Sequence, residues 1–146
     1  MLVKDVMAKD LSFCTPEETV KEAAKLMKSA DVGAIPVVQD KSSRKLVGIL
    51  TDRDIVIALV AEGKDPGTTT VGSIMSRDPV STGPDEELDR SAQLMQEKQV
   101  RRVPVVDEQG AIVGIVAQAD IAQESPSDQT VRETVEKVST PRKGAA

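Results

Sequence analysis

Two short polar stretches combine residue types that bind phosphorylated sugars. The sequence TDRD at residues 51–54 follows the apolar run VGIL, and the arginine pair at residues 101 and 102 precedes the apolar run VPVV. A strand-to-helix turn attracts anions because free backbone N–H groups point outward there, and its aspartate can accept hydrogen bonds from a sugar diol. Guanidinium groups bind phosphate through paired hydrogen bonds. Together these stretches predict a site for a small phosphorylated ligand.

Each stretch also has an ordinary structural explanation. Thr51 can cap a helix N-terminus with Asp54 at the third helical position, which satisfies free N–H groups. Arg101 and Arg102 can form a solvated pair in front of a strand, as isolated surface arginines usually do. Because strand side chains alternate in direction, at least one arginine could instead point into a cleft. Taken alone, each stretch is better explained by structure than by ligand binding.

An internal repeat organises the chain. Residues 3–40 align with residues 71–108, with Met7 against Met75 at an offset of 68 residues. The sequence VGILTDRDI then aligns with VGIVAQADI, after a loop two residues shorter in the second copy. Each copy predicts the order strand, helix, strand, strand, helix, and one copy is too small to bury both faces of its sheet. The predicted fold class is α+β, with two βαββα repeats packed sheet to sheet about a pseudo-twofold axis.

The repeat also sets the expected domain boundaries. We expect the first repeat at residues 1–62, a linker at 63–72, the second repeat at 73–125, and a C-terminal helix with a flexible tail at 126–146. The sequence TPEE at residues 15–18 has the pattern of a capping box and predicts a helix that begins at residue 16. The apolar face of that helix is predicted at Val20, Ala23, Ala24 and Met27.

The two copies differ at the polar positions. Arg101 and Arg102 align with Gly33 and Ala34, so only the second copy carries the arginine pair. Conversely, the second copy has Ala117 in place of the capping threonine of the first copy, but it retains the aspartate as Asp120. An aspartate that is retained without its capping partner is consistent with a second role, such as binding a sugar.

Composition excludes several classes of function. Among 146 residues there is no histidine and one cysteine, Cys14, so neither a Ser-His-Asp or Cys-His mechanism nor a zinc site of Cys and His is expected. We interpret Cys14 as a buried structural thiol. The net charge of −5 and the absence of Trp and Tyr argue against nucleic-acid binding. The charged start MLVKDVMAKD and the lack of a long apolar run argue against a signal peptide or membrane span, and we expect a cytoplasmic protein.

The ordered motifs, present twice, resemble a CBS-domain pair, or Bateman module. They are M-x-x-D, an IPVV or VPVV strand, and GILTDRD or its second-copy counterpart, and they cover residues 3 to 123. The resemblance implies two clefts between the repeats that bind adenosine-containing ligands, and a further pairing of modules into a disc-like homodimer. It also implies a regulatory rather than a catalytic protein.

Carried over to this sequence, the resemblance implies one complete cleft. Thr51 and Asp54 match the threonine and the ribose-binding aspartate, and Arg101 and Arg102 match a phosphate-facing basic pair. Further ligand contacts in this cleft are implied for Ile49, Arg53, Pro79, Val80, Val103 and Pro104. The second, weaker cleft would hold Asp120, Gly33, Ala34 and Ile115.

The resulting functional prediction is a sensor of AMP, ADP or ATP, with Mg²⁺ able to accompany the nucleotide, that signals to an effector protein. A first alternative is a dimeric scaffold whose nucleotide site is vestigial. A second is a sensor of S-adenosylmethionine, NAD or a cyclic dinucleotide. An enzyme with Mg²⁺-assisted phosphate chemistry ranks below both, because no glycine-rich phosphate loop of the P-loop type is present.

Overall fold

A computed structural model describes residues 1–124, so the C-terminal helix and tail expected at 126–146 lie outside the described residues. The chain divides into two compact units. We call Ser12–Pro79 with Gln109–Ile112 the first-repeat unit. We call Met1–Leu11, Val80–Glu108 and the described residues from Val113 onward the second-repeat unit. Within residues 1–124, no helix has the length and apolar character needed to cross a membrane.

The secondary structure is mixed, as the fold class α+β predicts. The helices are α1 (Val3–Val6), α2 (Val20–Ala30), α3 (Asp52–Ile55), which continues as a π-helix (Val56–Ala61), α4 (Val71–Ile74), α5 (Leu88–Lys98) and α6 (Gln118–Glu124). The strands are β1 (Ala34–Val38), β2 (Leu46–Thr51), β3 (Ser76–Arg77), β4 (Arg102–Val106) and β5 (Ile112–Ala117).

The first-repeat unit contains an antiparallel sheet in the order β1-β2-β3. Strands β1 and β2 form the predicted hairpin, with Ile35 opposite Leu50, and β3 adds Ser76 opposite Ile49. Cys14 extends the other edge through a parallel bridge to Val37. The core beneath this sheet consists of Cys14, Ala23, Met27, Ile35, Val37, Leu50, Val71 and Met75.

The second-repeat unit has the same arrangement around the pair β4-β5. Ala8 pairs with Ile115 through two backbone hydrogen bonds, of 2.8 and 3.0 Å, and Thr82 forms the parallel bridge to Val105. Ala8 lies near the beginning of the first sequence copy but forms the edge of the sheet in the second-repeat unit. The aligned residue Ser76 lies near the beginning of the second copy and forms the edge of the sheet in the first-repeat unit. The core consists of Val3, Leu88, Ala92, Met95, Val103, Val105, Val116 and Ile121.

The strand predicted to open each copy is therefore divided between the two units. The segment that contains Ala8 pairs in the second-repeat unit, and Cys14, six residues later, pairs in the first-repeat unit. Each contact is a single-residue bridge rather than a continuous strand. The prediction of one intact opening strand per copy was wrong, because its two ends pair with different sheets.

Helix α2 begins at Val20, four residues later than predicted. Glu18 does accept a hydrogen bond from the Thr15 N–H at 2.8 Å, as in a capping box, but this closes a separate turn. The helix N-cap is Thr19, whose Oγ1 accepts from the Glu22 N–H at 3.2 Å. On the predicted apolar face Val20, Ala23 and Met27 are buried, and Ala24 is half-buried.

Long-range hydrogen bonds explain the late start of α2. The carbonyls of Pro16 and Glu18 accept from the N–H groups of Gly72 and Val71, at 2.9 and 2.8 Å. In the second-repeat unit the aligned carbonyls of Pro84 and Glu86 accept from the first residues of α1, both at 2.9 Å. Residues 16–18 and 84–86 thus serve as docking segments for α4 and α1, and tertiary pairing overrides the local helix signal.

Candidate functional site

The turn after β2 forms a complete capping box. Thr51 Oγ1 accepts a hydrogen bond from the Asp54 N–H at 3.1 Å, and Asp54 Oδ2 accepts from the Thr51 N–H at 3.0 Å. Both residues are half-buried. The helix-capping role of Thr51 and Asp54 is confirmed, but it uses only one of the two carboxylate oxygens of Asp54. Among residues 1–124, Asp54 Oδ1 accepts no hydrogen bond, so the side chain keeps an acceptor for a sugar hydroxyl.

The equivalent turn after β5 keeps half of that box. Asp120 Oδ2 accepts a hydrogen bond from the Ala117 N–H at 2.8 Å, as Asp54 does from Thr51. Asp120 therefore has a local structural role even without a capping threonine. A second role for this aspartate, such as binding a sugar, stays a prediction, because the hydrogen bond from the Ala117 N–H uses only Oδ2.

Arg101 and Arg102 lie beside the start of α6 in the second-repeat unit. The Arg101 carbonyl accepts a hydrogen bond from the Gln118 N–H at 2.8 Å, and Arg102 is the first residue of β4. Arg101 is exposed and Arg102 is half-buried. Within the described part of the chain, neither guanidinium has an ion-pair or hydrogen-bond partner. This pair is a local concentration of positive charge on an acidic protein.

The first copy has the same backbone connection, and the carboxylate of Asp52 lies close to the position that aligns with the first arginine. The Gly33 carbonyl accepts from the Asp52 N–H at 2.9 Å, matching Arg101 and Gln118. A Cβ atom at Gly33 would lie 3.0 Å from Asp52 Oδ2, so a side chain there would have to displace that carboxylate. At the next position, Ala34 pairs with Thr51. The first copy therefore lacks the arginines and has the acidic Asp52 at the position that aligns with Gln118 of the second copy.

The other predicted ligand contacts differ in accessibility. Arg53 is exposed, and Ile49, Ile115, Pro79 and Val80 are half-buried. Val103 and Pro104 are buried, and Val103 belongs to the core of the second-repeat unit. Pro79 and Val80 stand where the chain passes from one unit to the other.

Within each unit, therefore, the structure brings a strand start and a helix start together. The first-repeat unit joins Gly33 and Ala34 to the Thr51–Asp54 turn, and the second-repeat unit joins Arg101 to the Asp120 turn. The predicted complete cleft takes Thr51 and Asp54 from one unit and the arginines from the other. That combination stays a prediction.

A surface pocket that the sequence did not predict lies on the first-repeat unit. It has a volume of about 510 Å³, and its rim carries an ion pair between Lys41 Nζ and Glu18 Oε1 at 3.5 Å. It is lined by Phe13, Cys14, Glu18, Glu22, Lys25, Leu26, Ser29 and Lys41. None of the predicted ligand contacts lines it. The second copy has Ser81 and Thr82 in place of Phe13 and Cys14, so these two apolar lining residues are specific to the first copy.

Cys14, one of the residues that line this pocket, is a buried structural thiol, as predicted. It is 1% exposed and belongs to the core. Burial, with a smaller contribution from the negative charge of Glu18, raises the pKa of the Cys14 thiol to about 12. At neutral pH the group is therefore protonated and is a poor nucleophile.

We expect iodoacetamide at pH 8.5 to alkylate Cys14 at least about 100-fold more slowly in the native protein than in urea, because thiolate is the reacting form. A raised pKa means that this protection persists through the alkaline range and decreases only as the pH approaches about 12. Mass spectrometry of timed samples would measure both rates. Equal rates in the two states would show that Cys14 is accessible.

Both copies of the repeat match a known protein family. The family model described as CBS domain matches residues 3–61 and 71–127. The chain is similar to the CBS domain-containing protein YhcV of Bacillus subtilis, with 42% identity over 137 residues that cover 94% of each protein.

Two solved structures are similar as well. The CBS domain pair of protein MJ0100, in complex with 5′-methylthioadenosine and S-adenosyl-L-methionine, has 35% identity and a TM-score of 0.73, covering 84% of this chain and 94% of that one. The structure of CBSX2 in complex with AMP has 27% identity and a TM-score of 0.72, covering 84% and 93%. With the family model matching both copies of the repeat, the chain belongs to the CBS domain family.

Proposed function

We propose that the protein is a regulatory module that binds one adenine nucleotide per chain, AMP, ADP or ATP. Thr51 and Asp54 would hold the ribose, and Arg101 and Arg102 would hold the phosphate. The module would have no catalytic activity and would signal to an effector protein. It would act as a cytoplasmic homodimer.

The arginine pair is the observation that carries this proposal. Neither guanidinium has an ion-pair partner among residues 1–124, so both are available to bind a phosphate. Asp54 contributes the free acceptor Oδ1. Asp52 and Gly33 make the first copy unsuited to phosphate, which supports one strong site rather than two.

The candidate ligands also differ in their charge. The MJ0100 domain pair binds S-adenosyl-L-methionine, whose sulfonium is positively charged, and CBSX2 binds AMP, whose phosphate is negatively charged. The cationic pair favours the phosphorylated class, because unlike charges attract and like charges repel in a partly desolvated site. Residues 1–124 contain no group of three acidic or Cys side chains suited to a metal, so any Mg²⁺ would enter with the nucleotide.

Thermal unfolding with a ligand panel tests the proposal. The panel contains AMP, ADP, ATP, NAD, S-adenosylmethionine and cyclic di-AMP, each with and without Mg²⁺. A ligand at 100 times its Kd stabilises the fold by about 2.7 kcal/mol, which raises Tm by several degrees. We expect a shift with at least one of the three nucleotides and a smaller or absent shift with S-adenosylmethionine.

A matched pair of variants separates binding from helix capping. Asp54→Ala and Asp120→Ala each remove one carboxylate that accepts a hydrogen bond from a turn N–H, at 3.0 and 2.8 Å. We expect similar losses of basal stability but loss of the nucleotide shift only in Asp54→Ala. If no ligand shifts Tm, the scaffold function with a vestigial nucleotide site replaces the sensor.

A further inference from the structure

The surface pocket on the first-repeat unit contains the one aromatic side chain of the protein, and we call it the Phe13 pocket. Phe13 and Leu26 both line it, and both are half-buried. The Arg44 guanidinium lies 5.0 Å from the centroid of the Phe13 ring, which is within the range of a cation–π contact. The volume of about 510 Å³ lies within the range of about 300 to 1,000 Å³ that is typical of small-molecule sites.

The charges around the Phe13 pocket are only partly neutralised. Glu18 Oε1 and Lys41 Nζ form an ion pair at 3.5 Å, so these two lining residues compensate each other. Lys25 and Glu22 also line the pocket, and neither of them nor Arg44 has an ion pair among residues 1–124. Two positive charges and one negative charge are thus uncompensated. This balance favours a ligand with a single negative charge.

The aromatic and cationic residues of the Phe13 pocket belong to the first copy alone. Ser81 and Gln93 of the second copy align with Phe13 and Lys25. The turn between β1 and β2 carries three positively charged residues, and the shorter turn between β4 and β5 carries none. Both copies nevertheless form the same helix and hairpin. The fold that the copies share therefore does not require these residues.

We propose that the Phe13 pocket binds a small aromatic monocarboxylate. The ligand ring would contact Phe13 and Leu26, and its carboxylate would bind Lys25 and Arg44. Glu22 would repel a ligand with more than one negative charge, and the two cations would repel a positively charged ligand. The inference is independent of the proposed nucleotide site, because none of the predicted nucleotide contacts lines this pocket.

Titration of the Phe13 signals by NMR tests the site. Because the chain has one Phe and no Trp, Tyr or His, the aromatic signals of carbon-13-labelled protein come from Phe13 alone. The probes are phenylacetate, phenylethanol and phenethylammonium, which share a ring and differ in charge. We expect phenylacetate to shift the signals with a Kd on the order of 1 mM, as its small size allows. Phenylethanol should bind at least about threefold more weakly, and phenethylammonium should not saturate.

Three charge variants test the residue assignments, and each of them keeps Phe13 as the reporter. Lys25→Gln should weaken phenylacetate binding at least about threefold. Lys28→Gln is the matched control and should bind like the wild type, because it removes a positive charge from the same helix outside the pocket. Glu22→Gln should strengthen binding, because it removes the uncompensated negative charge. All three side chains are exposed, so the variants should keep the fold.

Several outcomes would overturn the inference. They are the absence of a saturable Phe13 shift with phenylacetate up to about 20 mM, equal affinities for phenylacetate and either of the other probes, and equal losses in Lys25→Gln and Lys28→Gln. Weaker binding in Glu22→Gln would also overturn it, because that result would indicate a ligand ammonium group and therefore a zwitterion. Because nucleotide is absent from these titrations, their failure would leave the proposed nucleotide site untouched.

Discussion

Gly48→Ala is expected to lower the free energy of unfolding by about 2 to 3 kcal/mol, as overpacking of a filled core does. Gly48 is buried in β2, and a Cβ atom there would lie 2.7 Å from Met75 Sδ and 2.8 Å from the Ser76 carbonyl oxygen. The methionine can move, but Ser76 is backbone of β3 and is paired with Ile49. Relief of the clash therefore requires β3 to shift away from β2.

The aligned glycine provides a graded comparison. At Gly114 a Cβ atom would lie 2.5 Å from Met7 Sδ but 3.1 Å from the Ala8 carbonyl oxygen, so more of the strain falls on a side chain. We expect Gly114→Ala to cost less, about 1 kcal/mol. Gly83→Ala is the control, because the nearest atom is Glu86 Cγ at 3.6 Å. Urea denaturation of the three variants measures the order, and equal stability of Gly48→Ala and Gly83→Ala would contradict it.

The second large effect is expected at the arginine pair. Replacing Arg101 and Arg102 together with alanine should weaken nucleotide binding at least 100-fold, because each charge-assisted contact contributes about 1.5 to 3 kcal/mol. Stability without ligand should change by less than about 0.5 kcal/mol, since neither guanidinium has a partner among residues 1–124. Competition against a fluorescent nucleotide measures the affinity.

A charge-matched variant separates phosphate contact from net charge. Arg90→Ala with Lys98→Ala removes two exposed positive charges from α5 in the same unit. We expect this variant to bind nucleotide like the wild type at 0.15 M salt, where distant surface charges are screened. Equal losses in both double variants would mean that the arginines act only through overall charge. Lysine replacements at 101 and 102 should be intermediate, because lysine lacks the paired donors.

Much of the fold could be predicted because the same order of strands and helices is indicated in both copies of the repeat. The hairpin of β1 and β2 and the buried positions of α2 follow from local patterns and are confirmed. The start of α2 could not be predicted, because the hydrogen bonds that occupy Pro16 and Glu18 come from residues more than 50 positions away. The divided opening strand has the same cause, since a sequence pattern does not state with which sheet a segment pairs.

The site was predictable in part for a related reason. Thr51 and Asp54 form the local motif that their spacing indicates. The hydrogen bond that Asp120 accepts from Ala117 could not be predicted, because a backbone N–H needs no particular residue type and therefore leaves no trace in the sequence. The pocket at Phe13 was missed because it depends on how α2 and the loop at Lys41 meet, although the change from Phe13 to Ser81 between the copies was a visible signal.

A calorimetric titration of the wild type with the nucleotide that gives the largest thermal shift tests the central claim most directly. The central claim is that one site per chain takes its ribose contacts from the first repeat and its phosphate contacts from the second. The predicted result is one nucleotide per chain, with binding lost in Asp54→Ala and in the Arg101→Ala/Arg102→Ala double variant. Two equal sites per chain, or full binding in either variant, would contradict the account.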